Sequence, residues 1–283
     1  MAQIINGKEI ADRILEEVKQ DASKFSAKHK RKPGLAVVLV GDDVASEIYV
    51  RYKTNACARV GIESFVHKRP ACASEAEVLA LINKLNKDKT VDGILVQLPL
   101  PLHIDKQKII SLINPKKDVD GFTPENMGKL TIGEQDGLFP CTPVGVMKML
   151  EVAGVSIEGK NATIVGASNI VGKPMAIMLL NKNATITSCH IYTKDLKEHT
   201  KKADILIVAV GKAGLITKDH VKKGAVVIDV GINRLADKKI CGDVCFEEVC
   251  DCVDYISPVP RGVGPMTVAM LMSNTIKAAK NAR

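Results

Sequence analysis

The chain has 283 residues, 46% hydrophobic and 25% charged, with a formal net charge of +8. This length supports one large or two medium domains with real cores, and the composition excludes a disordered chain. Its apolar runs fall well short of the ~20 residues that a bilayer span requires, so no membrane segment is expected.

The N-terminus, MAQIINGKEIADRIL, lacks a basic stretch followed by an apolar one and is not rich in arginine. Neither a secretory signal nor a transit peptide is read there, and the cytoplasm is the expected compartment. Residues 8–30 then read as an amphipathic helix, with Ile10, Ile14, Leu15 and Val18 on one face. An apolar run at 34–40 precedes VASEIYVRYKTNACARVGI, which has helical periodicity, and the strand-like ESFVHKR. Ser74 opens a helix to about Lys87, with Glu77 at the capping-box position. The run at 93–98 reads as a buried strand cut off by Pro99 and Pro101. Strands alternating with helices in this way predict a parallel sheet with helices on its faces.

From Leu130 to Pro143 the pattern gives way to Gly, Pro and polar residues, read as an inter-domain crossing. A helix over 144–153 leads into a second series, with strands at 162–165, 184–189, 205–210 and 226–230. Helix-like stretches follow the first three strands, the pattern of a doubly wound nucleotide-binding domain. A last helix over 266–282 follows a Pro/Gly-rich passage and is expected to return to the first domain. The fold class is therefore α/β with two domains. An N-terminal catalytic domain at 1–140 is joined by the C-terminal helix 266–283, and a Rossmann-type domain occupies 141–265. The active site is expected in the cleft between them.

Tyr49 and Lys53 stand one helical turn apart, so phenol and amine share a face. Gln97 closes DGILVQ, and Asp120 lies in the turn-like KKDVDGF. An amine beside a hydroxyl, an amide and a carboxylate is suited to proton transfer, given enough desolvation to loosen its proton. Taken singly, these residues have plainer readings: a solvated helix lysine, a packing tyrosine, a strand end and a turn aspartate.

Of the eight cysteines, Cys241, Cys245, Cys250 and Cys252 cluster, but without paired CxxC spacing or a nearby histidine. They are read as thiols and no metal is expected. The six histidines show no metal-ligand or triad-like pairing. The dispersed lysines suit an anionic small molecule as well as nucleic acid, and charge alone does not choose.

ATIVGASNIVGKPMAIMLL puts a glycine-containing turn between an apolar strand and an apolar helix, the context of a dinucleotide fingerprint. The helix N-terminus is expected to hold a pyrophosphate. Ser168 and Val171 stand where GxGxxG has glycines, and the second glycine is Gly172; an ordinary tight βα turn is the alternative. The second strand ends SCHIYTKDL, with no acid before Asp195 to bind a ribose 2′-hydroxyl. With Lys173 and Lys194 near, NADP is expected over NAD.

The blocks VASEIYVRYK, DGILVQLPLP, KKDVDGF, PCTPVGVMKML, VGASNIVGKP, VVIDVGIN and PVPRGVGPMTVAML occur in order over the whole chain. In this the sequence resembles the bifunctional methylenetetrahydrofolate dehydrogenase/cyclohydrolase family of the bacterial FolD type. The resemblance implies oxidation of 5,10-methylenetetrahydrofolate with NADP, then hydrolysis to 10-formyltetrahydrofolate, by a homodimer. It makes Lys53 the catalytic lysine, Tyr49 a residue that stacks on or hydrogen-bonds the folate and helps place the lysine, Gln97 a hydrogen-bond partner that tunes Lys53, and Asp120 the anchor of the pterin edge. Val96, Leu98, Pro260, Gly262, Gly264 and Pro265 are further implied folate contacts. Gly166, Ala167, Ser168, Val171, Gly172, Ile191 and Ile232 are implied to line the dinucleotide. The anionic folate tail and cofactor phosphates then account for the +8 charge, without nucleic acid or membrane.

Three departures stand out. Many relatives have Arg at the position of Ala167 and Ser at that of Ile191, and both differences bear on the NADP expectation. Arg261 occupies a loop position where the family has Gly; if it requires a left-handed backbone, the cost is about 1 kcal/mol. Two rival readings are a hydroxy- or keto-acid dehydrogenase on a similar frame, and a non-catalytic dinucleotide binder. The first would leave Gln97–Pro99 without a purpose, and an intact tetrad argues against the second.

Overall fold

Local signals in the sequence become elements throughout the chain. The computed structural model describes residues 2–235 and 239–281. In chain order the elements are β1 (Gln3–Ile4), α1 (Gly7–His29), β2 (Gly34–Val40), α2 (Val44–Val60), β3 (Glu63–Arg69), α3 (Glu75–Lys87) and β4 (Gly93–Val96). Next are α4 (Lys106–Leu112), α5 (Pro124–Ile132), α6 (Cys141–Val152), β5 (Asn161–Val165), α7 (Gly172–Leu180), β6 (Thr185–Cys189), α8 (Leu196–Thr200) and β7 (Ile205–Val208). A 3-10 turn (Lys218–His220), β8 (Val226–Asp229), β9 (Asn233–Arg234), β10 (Ile240–Cys241), α9 (Phe246–Val249), β11 (Tyr255–Ile256) and α10 (Val263–Asn281) complete the chain. They form two compact units, one of Asp12–Cys141 with Val268–Arg283, the other of Met1–Ala11 with Thr142–Thr267.

In the first unit, parallel strands run in the order β3-β2-β4. Every residue of β2 and β4 is buried, as expected where helices cover both faces. The edge strand β3 leaves Glu63, Val66 and Lys68 exposed. Val38, Ile82, Ile94 and Ile109 pack into one core. The capping box at Ser74 forms as expected: Glu77 N donates to Ser74 Oγ at 3.3 Å, and Ser74 N donates to Glu77 Oε2 at 2.7 Å. Asp43 caps α2 by accepting from Ser46 N at 2.7 Å, and Gly61 closes it at φ 81°.

The second unit has a six-stranded parallel sheet in the order β1-β11-β8-β7-β5-β6. Its core includes Val165, Leu206, Val208, Val227 and Ile256. The sequence reading assigned the leading residues to the N-terminal domain. Here Gln3 and Ile4 pair with Tyr255 and Ile256, which makes β1 an edge of the second sheet.

Other elements differ from expectation. The stretch read as a crossing begins inside α5, which Thr123 caps and Gly133 ends at φ 82°. Gly128 and the short length blur that helix's periodicity. α6 starts at Cys141, before the expected 144. β7 is followed by the 3-10 turn, not by an α-helix. No helix among the described residues is long and apolar enough to cross a membrane.

Candidate active site

The first unit brings residues from three segments together. α2 presents Lys53 to the end of β4, where Lys53 Nζ donates to Gln97 Oε1 at 3.0 Å. Gln97 is nearly buried and doubly fixed: its N–H donates to Val38 O at 2.9 Å, and its Nε2 to Leu98 O at 2.8 Å. With Nε2 committed to a carbonyl, Oε1 must face the lysine. Tyr49 lies one turn back along α2, with its ring partly exposed.

Asp120 reaches this place by an extension of the sheet. Ile94 N donates to Lys117 O at 2.7 Å, which lays the KKDVDGF segment alongside β4. Asp118 then folds the turn, accepting from Gly121 N at 3.0 Å, Thr123 N at 2.7 Å and Asn126 Nδ2 at 3.0 Å. From α10, Asn274 Nδ2 donates to Val119 O at 2.9 Å and Phe139 O at 3.0 Å. The Asp120 residue is half-buried, but its carboxyl is enclosed. Desolvation pushes it up to about 6, against the attraction of Lys53 and with a smaller push from Asp118. Asp120, Val96, Leu98, Ile110 and Phe122 line a small cavity, and Val96 also belongs to the core. Burial raises the Cys57 thiol to about 12 and Cys141 well above the thiol range. Neither is an activated nucleophile.

In the second unit the glycine turn joins β5 to α7. Gly166 has φ 124°, and a Cβ there would stand 2.2 Å from Ala209 O at the exit of β7. A Cβ on Gly172 would stand 1.9 Å from Gly166 O. Strand exit, turn and helix start therefore touch backbone to backbone, and these two positions require glycine. Ser168 Oγ accepts from Val171 N at 3.1 Å and Gly172 N at 3.4 Å, and Ser168 O accepts from Lys173 N at 3.0 Å. Pro174 has no N–H. The first helical donors were the expected anion site, but they are already engaged. The N–H groups of Ala167, Ser168, Asn169 and Ile170 have no acceptor among the described residues, and all four residues are exposed. These four donors fit an anionic diphosphate. Ile191 is 90% exposed and Ile232 46%, apolar surfaces suited to flat rings.

The loop at 258–262 holds Pro260 and Gly262, and Gly264 and Pro265 lie in the first turn of α10. Arg261 adopts φ 81° with its side chain exposed, and its carbonyl accepts from Lys8 N at 3.0 Å. Gly264 faces Ile232, whose Cδ1 lies 3.8 Å from where a Cβ would be. The sequence reading missed Asp118, Asn274 and two buried carboxylates in the second unit, Asp229 and Asp243. The available signal was an acid beside an apolar run, in VVID and CGDV. Among the described residues, no group of His, Cys, Asp and Glu is placed to hold a metal ion.

A parallel dinucleotide-type sheet and a separate lysine–amide–carboxylate constellation define an NAD(P)-dependent oxidoreductase built from two α/β units. Comparison with known proteins narrows this class. Residues 5–120 match the catalytic-domain model of tetrahydrofolate dehydrogenase/cyclohydrolase, and residues 140–283 its NAD(P)-binding-domain model. The bifunctional protein FolD of Nitratiruptor sp. is 56% identical over 278 residues, 98% of each chain. A crystal structure of the bifunctional FolD dehydrogenase/cyclohydrolase from Campylobacter jejuni superposes with TM-score 0.98 at 52% identity, covering 100% of both chains. The Trypanosoma brucei FolD, solved with NADP cofactor and an inhibitor, superposes with TM-score 0.96 at 37% identity, covering 99% of this chain and 98% of that one. The chain belongs to the tetrahydrofolate dehydrogenase/cyclohydrolase family.

Proposed function

We propose that the protein oxidises 5,10-methylenetetrahydrofolate to the methenyl form with NADP⁺, then hydrolyses that product to 10-formyltetrahydrofolate. The observation that carries this reading is Lys53 Nζ held 3.0 Å from Gln97 Oε1, with the Asp120 carboxyl close enough to feel its charge. Bound NADP⁺ supplies the hydride acceptor.

Lys53 is the proposed general acid/base: it moves the proton as water adds to the methenyl carbon and the ring opens. Gln97 holds the amine in place, and Tyr49 offers its ring and hydroxyl to the folate. Asp120 accepts from the paired N–H donors of the pterin edge, a pattern a carboxylate matches in two-point fashion. Val96, Leu98, Pro260, Gly262, Gly264 and Pro265 are proposed as further folate contacts. On the dinucleotide side, the N–H groups from Ala167 to Ile170 take the diphosphate, and Gly166 and Gly172 keep that turn tight. Val171, Ile191 and Ile232 are the proposed apolar lining. No acid precedes Asp195 after β6, which favours the 2′-phosphate of NADP. A cytoplasmic homodimer is the proposed working form.

The test is spectrophotometric. Purified protein is mixed with 5,10-methylenetetrahydrofolate and either NADP⁺ or NAD⁺, and separately with methenyltetrahydrofolate alone. Reduced cofactor with NADP⁺, together with enzyme-dependent decay of the methenyl band, is the expected result. Absence of both signals from a folded protein would overturn the reading.

A further inference from the structure

Asp229 and Asp243 are 3% and 0% exposed, and the mechanism above uses neither. Their partners are N–H groups, not cations. Asp243 Oδ2 accepts from Val210 N at 2.8 Å and Gly211 N at 2.9 Å. Its Oδ1 accepts from Lys212 N and Asn233 Nδ2, both at 2.8 Å. Asp229 Oδ1 accepts from Gly231 N at 2.9 Å and Asp243 N at 3.1 Å, and its Oδ2 from Val244 N at 2.9 Å.

These contacts tie together the backbone that leaves β7 and the backbone that leaves β8. Both exits lie at the carboxyl edge of the parallel sheet, where open α/β sheets bind ligands. The β7 exit carries Ala209, whose carbonyl lies against Gly166 of the glycine turn. The β8 exit carries Ile232, flanked by Gly231 and Asn233, each bound to one of the two carboxylates.

We propose that Asp243 is a positioning residue for dinucleotide binding, which locks the β7 and β8 exits into one surface beside the glycine turn. The inference rests on the dinucleotide reading of that turn. Its chemistry requires a carboxylate. Four donors converge on two oxygens, whereas a carboxamide has one oxygen and would turn its NH₂ toward two other N–H groups. One exit would then be released while the remainder of the sheet stays paired.

Asp243→Asn is the primary test. Calorimetric titration of the cofactor-free protein should show the NADP⁺ Kd raised about tenfold or more, because one pair of N–H donors loses its acceptor at the buried carboxylate. The KM for NADP⁺ should rise in parallel. Hydrolysis of methenyltetrahydrofolate, which consumes no dinucleotide, should stay within about twofold, since Lys53, Gln97 and Asp120 belong to the other unit. Asp204→Asn serves as the stability control. That carboxylate accepts from Asn161 N at 2.9 Å and pairs with Lys222, at the opposite edge of the same sheet. It should lower the Tm without changing the NADP⁺ Kd.

An Asp243→Asn protein with wild-type Kd overturns the proposal. So does one that loses NADP⁺ affinity only to the extent that Asp204→Asn does. If Asp243→Asn does not fold, Asn233→Ala decides, because it removes one bond from a half-buried residue; a Kd raised roughly threefold supports the proposal and an unchanged Kd overturns it. Wild-type protein that binds NADP⁺ but turns over no folate would refute the proposed activity. The Kd comparison would still decide the role of Asp243.

Discussion

Lys53 and Gln97 are 44 positions apart in sequence, yet lysine Nζ and amide Oε1 lie 3.0 Å apart. The amide cannot rotate freely, because its Nε2 is held by Leu98 O. The lysine is therefore met by an acceptor of fixed orientation. Lys53→Met should reduce methenyltetrahydrofolate hydrolysis by about 100-fold or more, the usual scale for removing a general acid/base. NADP⁺ affinity, measured by titration, should be unchanged. Near-normal hydrolysis in the variant would remove Lys53 from the mechanism.

Asp120 gives a pH signature. Its folded-state carboxyl sits near 6 instead of 3.8, chiefly because it is desolvated. The folded protein thus binds this proton more tightly than the unfolded chain does. Its contribution to stability is largest at low pH and declines as pH rises from about 4 to about 6. On the proposed role of Asp120, folate binding runs the other way, because only its carboxylate accepts from pterin donors. The kcat/KM for folate should rise with pH through about 6, and Asp120→Asn should remove that limb.

On the same proposed role, Asp120→Ala should leave the pterin donors unpaired and increase the folate KM by roughly 10- to 100-fold. Initial-rate kinetics at saturating NADP⁺ would show it. An unchanged KM would mean that the pterin edge is held elsewhere.

Arg261 is the departure whose cost is visible in the backbone, at φ 81°. Its side chain is exposed, so little packing offsets the strain. Arg261→Gly should stabilise the protein by about 1 kcal/mol, raising the Tm by roughly 2–4 °C. Calorimetry checks this, and a lower Tm would show that the arginine side chain contributes more than its backbone costs.

Ala167 is exposed, next to the open N–H groups of the glycine turn. Ala167→Arg should strengthen discrimination for NADP⁺ over NAD⁺ by roughly tenfold, through a charge-assisted contact to the 2′-phosphate. The ratio of kcat/KM for the two cofactors is the measurement. Equal gains for both would place the new guanidinium on the diphosphate instead.

Elements whose signals are local were legible in the sequence alone. β2, β3 and the capping box at Ser74 fall where apolar runs and cap chemistry put them, because those signals act within a few residues. The glycine turn is legible for the same reason. Tyr49 and Lys53 could be paired from helix geometry alone. Motif order, through the family resemblance, tied Gln97 and Asp120 to them and implied a hydrogen bond from Lys53 to Gln97, which lies at 3.0 Å. What tertiary structure decided are the long-range contacts. β1 has two residues and an exposed surface, and only its pairing with β11 makes it a strand. Ser168 shows the same limit: which N–H groups remain open depends on how the turn closes on its own side chain. Asp118, Asp229 and Asp243 read as ordinary turn or strand-end acids. Their roles come from donors that chain folding gathers around them, as much as 33 residues away for Asp243, and local sequence does not carry that convergence.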